Sequence, residues 1–248
     1  MPAYFKHYGR RDPSGQHHTI YSFAAGDPPA TIWEIMNRNS ELMEKFMATM
    51  SAMAGYMGDA AAAYDLSWVV TAAKDADPSR ALVVDIGGGR GHSLEAICKA
   101  TPGLDISRCV VQDLPKVLEE AKSLAGGREL AKARFVSMDF HAEQPVRGAL
   151  LYHTRLCIHD YSDEDCIRML RHIRGAMLPD SRLLIVDQVL DNPPSAVGAA
   201  NDLFMAVIGG KERTEAEFRD ITVQAGLEVK GVFKAGGAYV GVVECVPV

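Results

Sequence analysis

The stretch Val83-Val84-Asp85-Ile86-Gly87-Gly88-Gly89-Arg90-Gly91-His92 leaves a buried, β-branched run and enters a helical pattern. Glycines at such a junction let the backbone come within contact distance of a ligand, and the helix beyond offers unpaired N–H groups and a partial positive charge. The loop therefore reads as a cofactor cradle at the carboxyl end of a strand. Its spacing matters, because a dinucleotide fingerprint needs G-x-G-x-x-G. Here the glycines fall at Gly87, Gly89 and Gly91, and His92 occupies the third expected site, which weakens a dehydrogenase reading. A lone glycine loop can also be a mere tight turn, so the rest of the chain has to decide.

Downstream, short apolar runs alternate with amphipathic segments. Strands are expected near residues 81–86, 109–112, 134–138, 149–153, 183–189, 229–233 and 239–245, with helices near 93–101, 116–125, 163–177 and 215–225. Strand, helix, strand in repetition means parallel pairing through right-handed crossovers, hence a doubly wound α/β sheet. The last two runs are separated only by Lys234-Ala235-Gly236-Gly237-Ala238, too short for a helical crossover, so they should form an antiparallel hairpin at one edge. The expectation is a seven-stranded sheet with its last strand reversed.

Upstream, residues 1–30 are polar and turn-rich, an arm draped on something else. From Thr31 to Tyr64 apolar residues recur at three- and four-residue steps, which predicts one helix or a bent pair. Met36, Met43, Met47, Met50, Met53 and Met57 are more than half of the chain's 11 methionines. Methionine fills irregular cores and moulds to aromatic ligands, so this helix is core packing, a substrate-pocket wall or an interface with a partner helix. Residues 75–79 read as a linker. The chain thus divides into an arm and helical lid, residues 1–80, and a cofactor-binding domain, residues 81–248.

Composition excludes several functions. The 248 residues are 48% hydrophobic and 23% charged, with net charge −6, which disfavours nucleic acid and anionic membranes as partners. The one basic stretch, Lys6-His7-Tyr8-Gly9-Arg10-Arg11, is a short solvated surface. Cys98, Cys109, Cys157, Cys166 and Cys245 form no C-x-x-C pair and read as reduced thiols of a cytoplasmic protein. No segment resembles a signal peptide, and no apolar run approaches the roughly 18 residues a membrane span requires. His17, His18 and His172 lack partners at ligand spacing, so no metal site is expected. The absence of a G-x-S-x-G elbow leaves a serine hydrolase unsupported.

Acids follow the next strands. Asp113 ends the second in Val111-Gln112-Asp113-Leu114-Pro115, where a carboxylate can accept both hydroxyls of a ribose. Asp139 ends the third in Ser137-Met138-Asp139-Phe140, where it can accept an adenine amino group while Phe140 covers the ring. Either acid alone could be a helix N-cap. Together they favour a nucleoside in the crevice at the strands' carboxyl ends.

Five segments in order now carry a family resemblance: Asp85-Ile86-Gly87-Gly88-Gly89-Arg90-Gly91, Gln112-Asp113-Leu114-Pro115, Met138-Asp139-Phe140, Ile158-His159-Asp160-Tyr161-Ser162-Asp163-Glu164 and Gly209-Gly210-Lys211-Glu212-Arg213-Thr214. The sequence resembles the S-adenosylmethionine-dependent O-methyltransferases of the plant caffeate and fungal natural-product type. The resemblance implies the class I methyltransferase sheet and S-adenosyl-L-methionine as cofactor. It implies that Gly87, with Gly89 and Gly91, lines the methionine end, Asp113 and Leu114 the ribose, and Asp139 and Phe140 the adenine. Arg155 stands where the family usually has a lysine near the cofactor. His159 matches the general base, Asp187 and Glu212 the flanking acids, and Phe46, Met47, Met50 and Met205 the substrate pocket. Tyr161 replaces the family's usual tryptophan. The family's N-terminal winged-helix dimerisation domain has no counterpart here, so a homodimer or a partner subunit is expected to cover the methionine-rich helix.

The triad makes physical sense. A phenol with pKa near 10 is mostly protonated at neutral pH. A histidine that takes the proton as the oxygen attacks contributes typically 10²–10⁴-fold, and acids beside it fix its tautomer. The expected function is methyl transfer to a hydroxyl of a phenolic or polyketide-like small molecule. The alternatives are a cyclase or lyase using the same pocket without methyl transfer, and a non-catalytic interaction subunit.

Overall fold

A computed structural model describes residues 1–56, 64–234 and 240–248, without the side chains of residues 47 and 50–56. Its sheet is built from β1 (Val83–Ile86), β2 (Cys109–Asp113), β3 (Arg134–Ser137), β4 (Leu151–Arg155), β5 (Arg182–Leu190), a two-residue β6 (Arg213–Thr214), β7 (Leu227–Lys234) and β8 (Val240–Pro247). The order is β3-β2-β1-β4-β5-β8-β7, with β6 beside the end of β5. The first five strands pair in parallel, and β8 runs antiparallel to both β5 and β7. The reversed last strand is as expected; it inserts between its hairpin partner and β5, which leaves β7 at the edge.

Every residue of β1 is buried, because helices cover both faces of the sheet. Alternate residues serve the two layers. Val84, Ile86, Tyr152 and Ile185 join one core with α8 (Asp163–Ala176) and α10 (Glu215–Gln224). Val83, Val111, Leu151 and Leu184 join the other with α5 (Ser67–Ala73), α6 (His92–Ala100) and α7 (Pro115–Ala125). Strand order reverses direction between β1 and β4, the switch point at which open α/β sheets bind ligands.

Two differences from the sequence reading bear on the site. The fourth strand begins at Leu151, later than expected, because the Ala149 backbone is taken by side chains: its N–H donates to the Tyr152 hydroxyl and its carbonyl accepts from Ser181 Oγ. That shift carries the strand on to Arg155 and sets His153 in mid-strand. The fifth strand, expected over 183–189, runs from Arg182 to Leu190 with Asp187 inside it. Pairing with β4 stops at Arg155 and Val186, however, so Asp187 is the first residue of β5 beyond the end of β4.

The largest element missed is α9 (Ala196–Ile208), Ala-Val-Gly-Ala-Ala-Asn-Asp-Leu-Phe-Met-Ala-Val-Ile. It is apolar nearly all round, so no 3.6-residue stripe marks it. The N-terminal arm is also more structured than its composition suggests, containing α1 (Pro2–Tyr8) and α2 (Ile20–Ala24). The Tyr4 hydroxyl donates to the His18 carbonyl, the Thr19 side chain caps α2, and α2 lies against α9. The expected bent pair is α3 (Ile32–Asn37), closed by a Thr31–Glu34 capping box, followed by α4 (Ser40–Tyr56). Among the described residues no helix is long and apolar enough to cross a membrane.

Candidate active site

The glycine loop follows β1 with positive φ at Gly87, Gly89 and Gly91. Gly91 is the N-cap of α6 and supplies no side chain to its first N–H groups. A Cβ at Gly89 would meet nothing within 4 Å, so one side of the loop is open to a ligand. At Gly87, by contrast, a Cβ would stand 2.7 Å from both Cys157 Sγ and Phe140 Cζ. The Phe140 ring thus leans directly on the loop, with Tyr161 edge-on at 6.2 Å.

Asp113 Oδ2 accepts from the Gly89 N–H at 2.9 Å, and Oδ1 from the Leu114 N–H at 2.8 Å. The residue therefore ties the second strand's end to the glycine loop, and it is Leu114 that stands at the N-cap of α7. Burial pushes the Asp113 carboxyl up, against those two hydrogen bonds. Asp139 is exposed, and its Oδ1 accepts from the His141 N–H at 2.9 Å. Each carboxylate retains lone pairs for a ligand. Leu114 is 49% exposed, an apolar surface bordering the loop. Arg155 ends β4 half-buried, and its guanidinium has no hydrogen-bond partner among the described residues.

Beyond β4 the chain turns through a short 3-10 segment, Ile158–Asp160, that carries His159. Its Nδ1 lies 3.0 Å from Glu212 Oε1, and its Nε2 lies 3.6 Å from Asp160 Oδ1. Asp187 is 1% exposed and both of its oxygens lack hydrogen-bond partners among the described residues. Burial alone would push the imidazole down. The Glu212 hydrogen bond and the charges of Asp160, Asp187 and Glu212 outweigh it and hold His159 at about 10. Burial raises Asp187 to about 7 and Asp160 to about 6, each opposed by the His159 charge. The charges of three carboxyl groups thus bear on one buried imidazole.

The residues that make this arrangement possible were only partly legible. Gly209 and Gly210 separate α9 from Glu212: a Cβ at Gly210 would stand 2.1 Å from the His159 carbonyl oxygen, and one at Gly209 2.0 Å from the Gly15 carbonyl oxygen. The Lys211 N–H donates to that same His159 carbonyl, and the Gly15 N–H to the Gly209 carbonyl. Asp202 on α9 accepts from the Glu212 N–H at 2.9 Å. Arg213, fully buried, donates to Asp163 Oδ1 and to the carbonyls of Ile158, Tyr161 and Lys211. It binds the segment bearing His159 to the segment bearing Glu212. The sequence shows an arginine in a motif but gives no sign of its burial.

On the proposed substrate side, Met205 is buried on α9, and Phe46 on α4 meets Trp33 edge-on at 5.8 Å. The side chains of Met47 and Met50 lie outside the described residues. His153, in mid-strand on β4, pairs with Asp85 on β1.

A family model for the O-methyltransferase domain matches residues 7–228. Methyltransferase pynC of Aspergillus niger is 38% identical over 248 residues, covering 99% of this chain and 67% of the relative. The mitomycin biosynthesis 6-O-methyltransferase of Streptomyces lavendulae is 37% identical over 217 residues, 86% of this chain and 58% of that protein. Among solved structures, OxaC in complex with SAH and oxaline superposes with TM-score 0.88 at 28% identity, covering all of this chain (100%) and 61% of that one. The mitomycin 7-O-methyltransferase MmcR gives 0.77 at 34% identity, over 92% of this chain and 62% of that one. A pericyclic reaction enzyme shares the fold at 23% identity. The chain thus spans about two thirds of its relatives' length.

Proposed function

The chain belongs to the O-methyltransferase family, and from that premise we propose that it methylates a hydroxyl of a phenolic or polyketide-like metabolite, with S-adenosylmethionine as cofactor and His159 as general base. The residues present fit the cofactor: a glycine loop open at Gly89, an uncapped helix N-terminus, and carboxylates at the ends of β2 and β3. Residues 87–91 would hold its methionine end, Asp113 and Leu114 its ribose, and Asp139 with Phe140 its adenine, while Arg155 faces the same crevice end of β4. When bound, this cofactor supplies an electrophilic methyl group on a sulfonium.

The observation that carries the reading is the orientation of His159. Glu212 holds Nδ1 at 3.0 Å, which leaves Nε2 as the nitrogen able to face a substrate hydroxyl. With His159 held near 10, only its deprotonated fraction can take the proton a hydroxyl gives up, so turnover should rise with pH from neutrality toward 10. Holding oxygen and methyl in line supplies much of the remaining acceleration.

The test is incubation with labelled cofactor and a panel of phenols and enols. Label transfer by the wild type is expected, with a loss of about 10²–10⁴-fold in His159→Ala. Full transfer by that variant, or a product bearing no added methyl, overturns the assignment.

A further inference from the structure

Asp85 and His153 lie beside one another on the paired strands β1 and β4 and point to the same face of the sheet. His153 Nδ1 donates to Asp85 Oδ1 at 2.8 Å. The pair is sealed in, with Asp85 1% and His153 5% exposed. Asp85 Oδ2 turns the other way, under the glycine loop, and has no hydrogen-bond partner among the described residues. A Cβ at Gly88 would stand 2.6 Å from that oxygen, so the loop rests directly on the carboxylate.

From the β2 side the loop is held by hydrogen bonds: the Gly88 N–H donates to the Gln112 carbonyl at 3.0 Å, and the Gly89 N–H to Asp113. Beneath Gly88 lie Asp85 Oδ2 and the Val111 methyl, and among the described residues His153 is the one hydrogen-bond partner of that carboxylate. A buried carboxylate left with neither oxygen paired is strongly disfavoured; it takes up a proton, admits water or swings away. None of these is neutral for the loop, because Gly88 already sits at van der Waals contact with Oδ2.

We propose that His153 is a positioning residue for cofactor binding: by holding Asp85 it sets the floor of the glycine loop, although its own side chain lies beneath the loop. The inference rests on the cofactor reading above but not on the chemistry of His159.

Titration calorimetry with S-adenosylhomocysteine on the full chain tests it, alongside melting temperatures recorded without ligand. His153→Phe keeps the ring volume but leaves Asp85 unpaired, and should raise Kd about tenfold or more, the cost of one orphaned buried group. His153→Asn places an amide donor where Nδ1 stood and should stay within about threefold of wild type. The double variant Asp85→Asn with His153→Phe, which removes the unpaired charge, should bind more tightly than His153→Phe alone. A His153→Phe protein that melts lower but binds with unchanged Kd shows a merely structural role and overturns the proposal. Equal weakening by Phe and Asn also overturns it. Wild type that binds no S-adenosylhomocysteine overturns both this inference and the cofactor reading, whereas normal binding by His153→Phe overturns this one alone.

Discussion

At the scale of single residues, the enclosed acids around His159 trade stability for chemistry. Asp187 and Asp160 have folded pKa values raised above the ordinary carboxylate range, to about 7 and about 6. A raised folded pKa gives stability that is complete below the unfolded value and lost as pH rises through the folded one, so the two acids withdraw stability as pH climbs from about 4 to about 6 and 7, and the loss is complete above that. His159, raised to about 10, has the same sign in a later window: its pairing stabilises below about 6.5 and is lost on the way to 10. Asp187→Asn removes an unpartnered buried charge. It should raise the melting temperature at pH 8, by roughly 2–4 °C for each kcal/mol relieved in a chain this size, while lowering turnover. Glu212→Gln should act oppositely at neutral pH, because the imidazolium loses its direct partner; calorimetric scans at pH 7 are expected to show melting reduced by several degrees, for a loss of about 1–3 kcal/mol. The difference between wild type and Glu212→Gln should shrink toward pH 10, where His159 is neutral in both.

At the scale of elements, the site depends on how the turn after β4 is fastened to the segment after α9. Arg213 makes that joint, and its planar fork reaches one carboxylate and three carbonyls that a lysine cannot serve together. Arg213→Met leaves the carbonyls of Ile158, Tyr161 and Lys211 without this donor and should cost about 1–3 kcal/mol for each that stays buried and unpaired, visible as a large fall in denaturant midpoint. Gly210→Ala tests the same joint more finely. Its new methyl would meet the His159 carbonyl at 2.1 Å, so the turn has to move. Activity should drop at least tenfold while S-adenosylhomocysteine binding, which depends on the other side of the crevice, stays near wild type. These joints also show what the sequence could and could not disclose. Val83 to His92 revealed strand, loop and helix because local apolar pattern and glycine spacing specify them. The contact between Gly210 and His159, and the burial of Arg213, arise from residues about fifty positions apart, and no local pattern encodes them. For a different reason α9 escaped notice, its polar residues being too few to mark a face.

At the scale of the whole molecule, the parallel pairing and the reversed β8 were legible because connection length alone distinguishes crossover from hairpin, whereas the place of β8 between β5 and β7 was not. The arm was not, since its short helices are held by long-range contacts: the Gly15 N–H on the Gly209 carbonyl, and Gln16 Nε2 3.1 Å from His141 Nε2. Those two contacts reach the joint behind His159 and the loop after Asp139, so the arm bridges both ends of the crevice. Phe140 lies on Gly87 and is followed by His141, so a nucleoside seated against that ring would bear on the same segment that Gln16 meets. Cofactor binding should therefore be read by the arm as well as by the sheet. Saturation at a hundredfold excess over Kd is expected to stabilise the protein by about 2.7 kcal/mol, a rise of roughly 5–10 °C in melting temperature. Hydrogen exchange at residues 15–19 should change along with that at residues 87–91. A thermal shift of the expected size with exchange altered only at residues 87–91 would show that the arm is a passive cover, and that the bridge from Gly209 to His141 carries no response to the cofactor.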